Sequence, residues 1–440
     1  MEWYLVLLAL TGGFMLLMMA GLPVAFAFML VNIVGAFLLW GGLMGLGELV
    51  HRSRDSVSMF ALLPLPLFIL LGEVLFRSGV VSGTLDALDK WFGRLPGRLG
   101  LLAIAASTIF ATVSGVSAGS VAMLGSTLGP EMEKRGYRKS MTLGPILGGG
   151  GLSIMIPPTA LGVLFAALAV LSVADFLIAI IIPGLLMALL YATYIVIRCY
   201  LQPSVAPAYQ VPPTPLSVRL KAAAKHILPL AAIIFLVTGV IFVGIATPTE
   251  AAATGAIGAF ILAACYGRLH WQVAKQSIVH TLEISGMMLL IITGAKTFSQ
   301  ILAFSGASRG MIEFVLGIPL APIMIILMMQ VIILFMGMFF DTVSIMMITI
   351  PVFFPIVQSL GFNPLWFGVM FLLNIEMSVT TPPFGLSLFV MKGVSSPDTT
   401  MGDVIRAALP FLGVDAIVMG LMLAFPRLVL WLPGVMRQIS

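Results

Sequence analysis

The chain has 440 residues, 60% of them hydrophobic and only 9% charged, with a mean hydropathy of +1.15. A soluble domain carries about 25% charged residues, so no water-facing shell can be drawn here. An ordinary soluble enzyme, a disordered chain and a nucleic-acid binder are excluded despite the net charge of +5, and two distant cysteines, Cys199 and Cys265, exclude a disulfide framework.

A bilayer core of about 30 Å takes roughly 20 helical residues, and apolar segments of that size recur along the chain. The first two span 3–21 and 23–42. No basic region precedes the first, and it is too long for a cleaved signal. An amphipathic stretch at 48–58 follows, then apolar runs at 59–77, 101–130, 140–170 and 176–200. The Pro-rich QPSVAPAYQVPPTP (202–215) lies near the middle and reads as an extended linker. The second half repeats the pattern: 226–246, 251–267, an amphipathic 268–281, then 284–304, 321–355, 365–391 and 409–433. The 45 Gly and 27 Pro have no collagen period and read as helix breaks and close packing in lipid.

The basic residues sort to one side. Arg77, Lys90, Arg94, Arg98, Lys134, Arg135, Arg138, Lys139, Arg198, Arg219, Lys221, Lys225, Arg268, Lys275, Lys392 and Arg406 fall in loops that face the cytoplasm together. Arg52, Arg54, Arg309, Arg427 and Arg437 fall outside. The positive-inside rule is satisfied with the N-terminus, and the C-terminus with it, outside. Solubilising charges alone would not sort in this way.

At a constant offset of 225 residues, Pro130 falls on Pro355, Gly136 on Gly361, Ser117 on Thr342, and Pro157–Pro158 on Pro382–Pro383. With small gaps, Pro96 pairs with Pro322 and Pro183 with Pro410. The loop after the first unit is basic and its counterpart after the second is uncharged, so the two units are inverted. Inverted repeats with broken helices are the architecture of secondary transporters. The expected fold is an all-α polytopic membrane protein. Scaffold helices and an arm occupy 1–58, a transport part 59–200, a cytoplasmic linker 201–225, a second scaffold and arm 226–281, and a second transport part 282–440.

Four breaks interrupt the apolar runs. TVSGVSAGS (112–120) divides a run that starts and ends on the same side, which predicts a re-entrant hairpin. GGGGLSIMIPPT (148–159) cannot be continuous helix, and carbonyls freed near Pro157 and Pro158, with Ser and Thr hydroxyls, are the oxygen ligands a hard cation takes. GMFFDTVS (337–344) matches the first break and places Asp341 in an apolar run, where an ionisable residue is functional by default. NIEMSVTTPPFG (374–385) matches the second. Glu376 reads as a structural hydrogen bond or a helix-end position. Lys296 snorkels, pairs with a buried acid, or contacts an anionic substrate. The Met pairs 287–288 and 346–347 read as packing, and the four His as interfacial.

These residues resemble a known family. SGVSAGSVAMLG with GPEMEKRGY, LGGGGLSIMIPPT, GMFFDTVSIMMITIPVFFPI and SVTTPPFGLSLFV together look like the large membrane subunit, the DctM-like permease, of the tripartite ATP-independent periplasmic (TRAP) transporters. The resemblance covers essentially the whole chain. It implies the ion-transporter superfamily fold and sodium-driven import of an organic acid across the bacterial inner membrane by an elevator movement. It implies no cofactor beyond coupling sodium ions. It also implies a separate four-helix small membrane subunit (DctQ-like) and a periplasmic substrate-binding protein (DctP-like). By position, one sodium site combines Ser114, Gly115 and Ser117 with Ile156, Pro157 and Thr159. The other combines Asp341, Thr342 and Ser344 with Thr380, Thr381 and Pro382. The carboxylate substrate then lies between the tips, near Ser120, Pro158, Pro383, Gly385 and Lys296. The rival readings are a self-sufficient citrate or dicarboxylate symporter of the same superfamily, a channel, and a membrane-embedded enzyme. The enzyme reading lacks a convergent catalytic pair, because Asp415 and Asp175 are expected near segment ends.

Overall fold

The computed structural model describes every residue except 1, 81, 94, 115–116, 208–214, 384 and 440, and every other side chain except those of 61, 82, 110–114 and 439. The described residues are helical with no strand.

Two helices open the chain, α1 (Trp3–Met19) and α2 (Val24–Leu39), followed by the amphipathic α3 (Leu43–Val57) and by α4 (Pro64–Arg77), which starts on a proline. After α5 (Ser82–Phe92), α6 (Arg98–Ser114) and α7 (Ser117–Lys134) form the first hairpin. At 1.5 Å per residue these arms are about 26 and 27 Å long. Next comes a broken helix, α8 (Lys139–Met155) and α9 (Ala160–Leu168), bent by 48°. Short α10 (Val173–Ala179) runs on into α11 (Ile181–Leu201), giving one apolar rod of 29 residues.

The second half begins with α12 (Leu216–Ala222), α13 (Leu228–Ile234) and α14 (Val240–Phe242), joined by wide turns into one span, and continues with α15 (Pro248–Cys265). Helix α16 (Trp271–Phe304) and short α17 (Ala307–Leu316) lead to the second hairpin, α18 (Pro322–Gly337) and α19 (Thr342–Ser359). A second broken helix follows, α20 (Pro364–Thr380) and α21 (Leu386–Val394), and the chain ends with α22 (Met401–Ala424) and α23 (Arg427–Ile439).

Paired elements therefore follow one another in the same order in both halves: hairpin, then broken helix. Both Pro-Pro peptide bonds, 157–158 and 382–383, are cis. The first leg of each broken helix is enclosed along almost its whole length. Every residue from Met141 to Met155 is buried, as is nearly every residue from Leu365 to Thr380. Helix α8 is covered by α6, α7, α11, α20 and α22. At its start, Lys139 Nζ lies 2.9 Å from an Asp398 oxygen and 3.7 Å from Asp403, tying the first broken helix to the loop after the second. The Lys139 ammonium holds the Asp398 carboxyl below its ordinary value. Clustered aromatic rings fill two regions: Phe14, Phe28 and Phe298 between α1, α2 and α16, and Phe165, Phe176, Phe354 and Phe371 around α9 and α20.

Three elements differ from the sequence expectation. The expected arm at 268–281 and the span at 284–304 are one continuous 34-residue helix, α16, because no proline interrupts Trp271–Phe304. The expected run at 409–433 is cut: Pro426 lacks a donor and drives Phe425 out of the helical region, to φ −128° and ψ 77°, which separates α22 from α23. The expected linker at 201–225 is helical from Leu216, and its residues 208–214 lie outside the described ones.

Candidate functional site

The arms of the first hairpin end at Ser114 and resume at Ser117. Gly115 lies outside the described residues, as does the Ser114 side chain. Ser117 opens α7 and is buried. Its hydroxyl donates to Glu376 Oε1 at 2.9 Å and lies 3.3 Å from the Ser387 hydroxyl. One turn later, the Ser120 hydroxyl lies 2.7 Å from that of Ser153 on α8. The second arm of the hairpin is thus fastened to both broken helices.

The break after α8 is wholly enclosed from Ile156 to Thr159. Ile156 is extended (φ −119°, ψ 117°), and its N–H reaches the Leu152 carbonyl at 3.0 Å. Pro157 and Pro158 have no N–H, and Thr159 caps α9 by accepting from Gly162 N at 3.4 Å. Among the described residues, no N–H is directed at the carbonyls of Ile156, Pro157 or Pro158. Three buried or half-helical carbonyls without donors, next to a Thr oxygen, are a donor set that fits a hard monovalent cation.

At the second hairpin, Asp341 is the N-cap of α19. Its carboxylate accepts from Val343 N at 3.0 Å and Ser344 N at 3.1 Å, and also from the Ser344 hydroxyl. The side chain is exposed and Ser344 is buried, with Thr342 between the two extremes. At the facing break, the Thr380 hydroxyl donates to the Met377 carbonyl at 3.0 Å and the Thr381 hydroxyl to the same carbonyl at 2.6 Å. Both hydroxyls therefore turn back onto the last turn of α20 and keep their lone pairs for an acceptor role. Gly385 N closes the break onto the Thr381 carbonyl at 3.2 Å. A Cβ at Gly385 would come 2.7 Å from the Val379 carbonyl oxygen, so only glycine fits that approach. Unlike Pro157 and Pro158, Pro383 is exposed and Pro382 is half-buried.

Lys296 stands apart from the tips. It lies on α16 with its ammonium against the Met59 thioether, and it lines a cavity of about 330 Å³ with Ser299, Gln300 and Gln358. The cavity runs along α19 at Met346, Met347 and Ile350, starting one turn beyond Asp341, and reaches Leu168–Val170 after α9. The structure does not bring Lys296 together with Ser120, Pro158, Pro383 and Gly385.

Glu376 was read from sequence as a structural or helix-end group. It lies inside α20, 1% exposed, and joins the two breaks. Asp415 was expected near a segment end but lies in the middle of α22, 4% exposed, and accepts the Tyr191 hydroxyl. The available signal was an acid within the unbroken apolar run that α22 makes. Asn374 completes the polar interior by donating to the Gln330 carbonyl at 2.6 Å and to its side-chain oxygen at 2.7 Å, which fixes α20 to the second hairpin.

An all-helical chain with duplicated hairpins and two discontinuous helices meeting through buried polar groups is a multi-pass membrane protein of the secondary-transporter class. The profile of the DctM component of the tripartite ATP-independent periplasmic transporters matches residues 11–428, and the chain belongs to that family. It is 30% identical over 390 residues to the C4-dicarboxylate TRAP transporter large permease protein DctM of Pseudomonas aeruginosa, covering 88% of this chain and 89% of that protein. It is 27% identical over 426 residues to the sialic acid TRAP transporter large permease protein SiaM of Vibrio cholerae, covering 96% and 97%. Its fold is similar to that of the Alcanivorax borkumensis YdaH transporter, with a TM-score of 0.62 at 16% identity over 87% of this chain and 89% of that one. The chain is a transporter component and not an enzyme.

Proposed function

We propose that this chain is the permease that carries an organic acid across the bacterial inner membrane, driven by sodium. The observation that carries the reading is the enclosed break at Ile156–Thr159. Among the described residues no N–H is directed at its Ile156, Pro157 and Pro158 carbonyls, and Ser153, just before it on α8, is fastened to Ser120 of the first hairpin. Sodium at that break and the first tip (Ser114, Gly115, Ser117, Ile156, Pro157, Thr159), and at the second tip with its break (Asp341, Thr342, Ser344, Thr380, Thr381, Pro382), draws each hairpin onto its broken helix. The carboxylate then binds between Ser120, Pro158, Pro383 and Gly385. Lys296 meets it on the way, from the cavity beside α19. Ion and anion binding are coupled because each completes the pocket the other needs.

The hairpins and broken helices move as one body against the remaining spans, an elevator movement. A separate four-helix subunit braces that frame, and a periplasmic binding protein delivers the acid. The dicarboxylate and sialic acid relatives support the substrate class. When more sodium than anionic charge enters, membrane potential adds about 2.3 kcal/mol per charge per 100 mV.

The test is uptake into proteoliposomes holding this chain and its small partner, with the sodium gradient and the cognate binding protein varied independently. Uptake that needs both supports the reading. Sodium-driven uptake without any binding protein replaces it with a self-sufficient symporter, and uptake indifferent to sodium removes the coupling.

A further inference from the structure

We propose that Glu376 and Asp415 hold a monovalent cation in a small cavity inside the body that carries both breaks, a site additional to the two hairpin-tip sites and adjoining the second of them at Thr380. Both carboxyls are almost fully enclosed, at 1% and 4% exposure. No Lys, Arg or His forms an ion pair with either among the described residues. Tyr191 donates to one Asp415 oxygen and Ser117 to Glu376 Oε1, while Glu376 Oε2 is buried with no hydrogen-bond partner. Two uncompensated carboxylates at this depth are costly unless a positive charge joins them.

The space for it exists. Glu376, Asp415, Tyr191 and Thr380 line one cavity of about 10 Å³, floored by Gly148 and Gly151 of α8. That volume takes one particle the size of a water molecule. Each of these four lining residues carries a side-chain oxygen: the carboxylates of Glu376 and Asp415, the Tyr191 phenol and the Thr380 hydroxyl. An all-oxygen set suits a hard cation. No third acid, His or Cys joins the pair among the described residues, so the set is too sparse for a divalent metal. The chemical class is a small alkali cation, sodium being the one tested.

The position gives the ion work to do. The carboxylate it would fix is the one that receives Ser117 from the first hairpin, and the Ser117 hydroxyl in turn lies 3.3 Å from that of Ser387 beyond the second break. Filling the cavity therefore locks both halves of the moving body at once. The site stands without the uptake reading, since it predicts binding with no substrate or partner present.

The experiment titrates the full chain in lipid nanodiscs with sodium chloride against choline chloride at constant ionic strength. Two signals are read: the infrared carboxylate stretch and the unfolding temperature. In the wild type, sodium shifts the carboxylate band and raises the unfolding temperature. Asp415→Asn, which touches neither hairpin tip, loses that band shift. Tyr191→Phe keeps the fold and weakens sodium at this site by about tenfold, as expected for loss of an orienting partner. Should Asp415→Asn fail to fold, Tyr191→Phe decides by its displaced midpoint. A wild-type band indifferent to sodium overturns the proposal. So does a protonated-carboxyl band that Asp415→Asn removes, which would give the cavity to a proton.

Discussion

Gly151 and Glu376 stand 225 positions apart, at equivalent points of the two halves, and they touch: a Cβ on Gly151 would come 2.9 Å from Glu376 Cγ. The duplication meets itself there. One copy supplies an acid and the other supplies the room for it.

Gly151→Ala overpacks this contact, at a cost of about 1–3 kcal/mol. The expected result is a lower unfolding temperature together with weakened uptake, because Glu376 is pushed off Ser117. An alanine variant with wild-type stability and uptake would show that the contact has slack.

Asp341→Ala removes the cap of α19, worth about 0.5–2 kcal/mol, too little to unfold the chain. Under the sodium reading it abolishes coupled uptake while the protein still purifies as a folded species. Asp341→Asn separates the two effects, since asparagine also caps helices but brings no charge. Wild-type uptake by the alanine variant would remove Asp341 from the ion site.

Tyr191→Phe leaves Asp415 without its hydroxyl donor in an enclosed space, a loss of about 1–3 kcal/mol. Thermal unfolding of the variant in sodium-free buffer measures it. An unchanged midpoint would mean that Asp415 finds another partner.

Lys296→Met keeps the packing against Met59 and deletes the cation. The half-saturating concentration for the anionic substrate is expected to rise by about tenfold, the lower end of the 1.5–3 kcal/mol of a charged hydrogen bond. Uptake assayed over a range of substrate concentration reads this directly. An unchanged value would assign Lys296 to snorkelling alone.

The order of the elements was legible because glycine, proline and charge punctuate it: GGGG with PP, Asp341 in an apolar run, and basic loops. The length of α16 was harder to read, since the amphipathic stretch 268–281 looks like an arm distinct from the apolar run at 284–304, yet no proline separates them. The site was half legible. Hairpin tips announce themselves by small residues, whereas the partnership of Glu376 with Ser117 crosses 259 residues of chain and leaves no local mark. Asp415 and Tyr191, 224 residues apart, are invisible for the same reason: only helix packing puts them together.

Helix α16 has a consequence for the lipid. Thirty-four residues make a rod of about 51 Å, and the hydrocarbon it crosses is about 30 Å thick. The rod is held at two heights: His280 Nδ1 lies 2.8 Å from Glu73, and the Gly294 carbonyl accepts from Asn32 at 2.7 Å. A stiff member pinned twice responds to a thinner or thicker bilayer by tilting as a whole. Lys296 sits two residues beyond the upper pin, so such a tilt would carry acyl-chain length to the wall of the cavity that Lys296 lines.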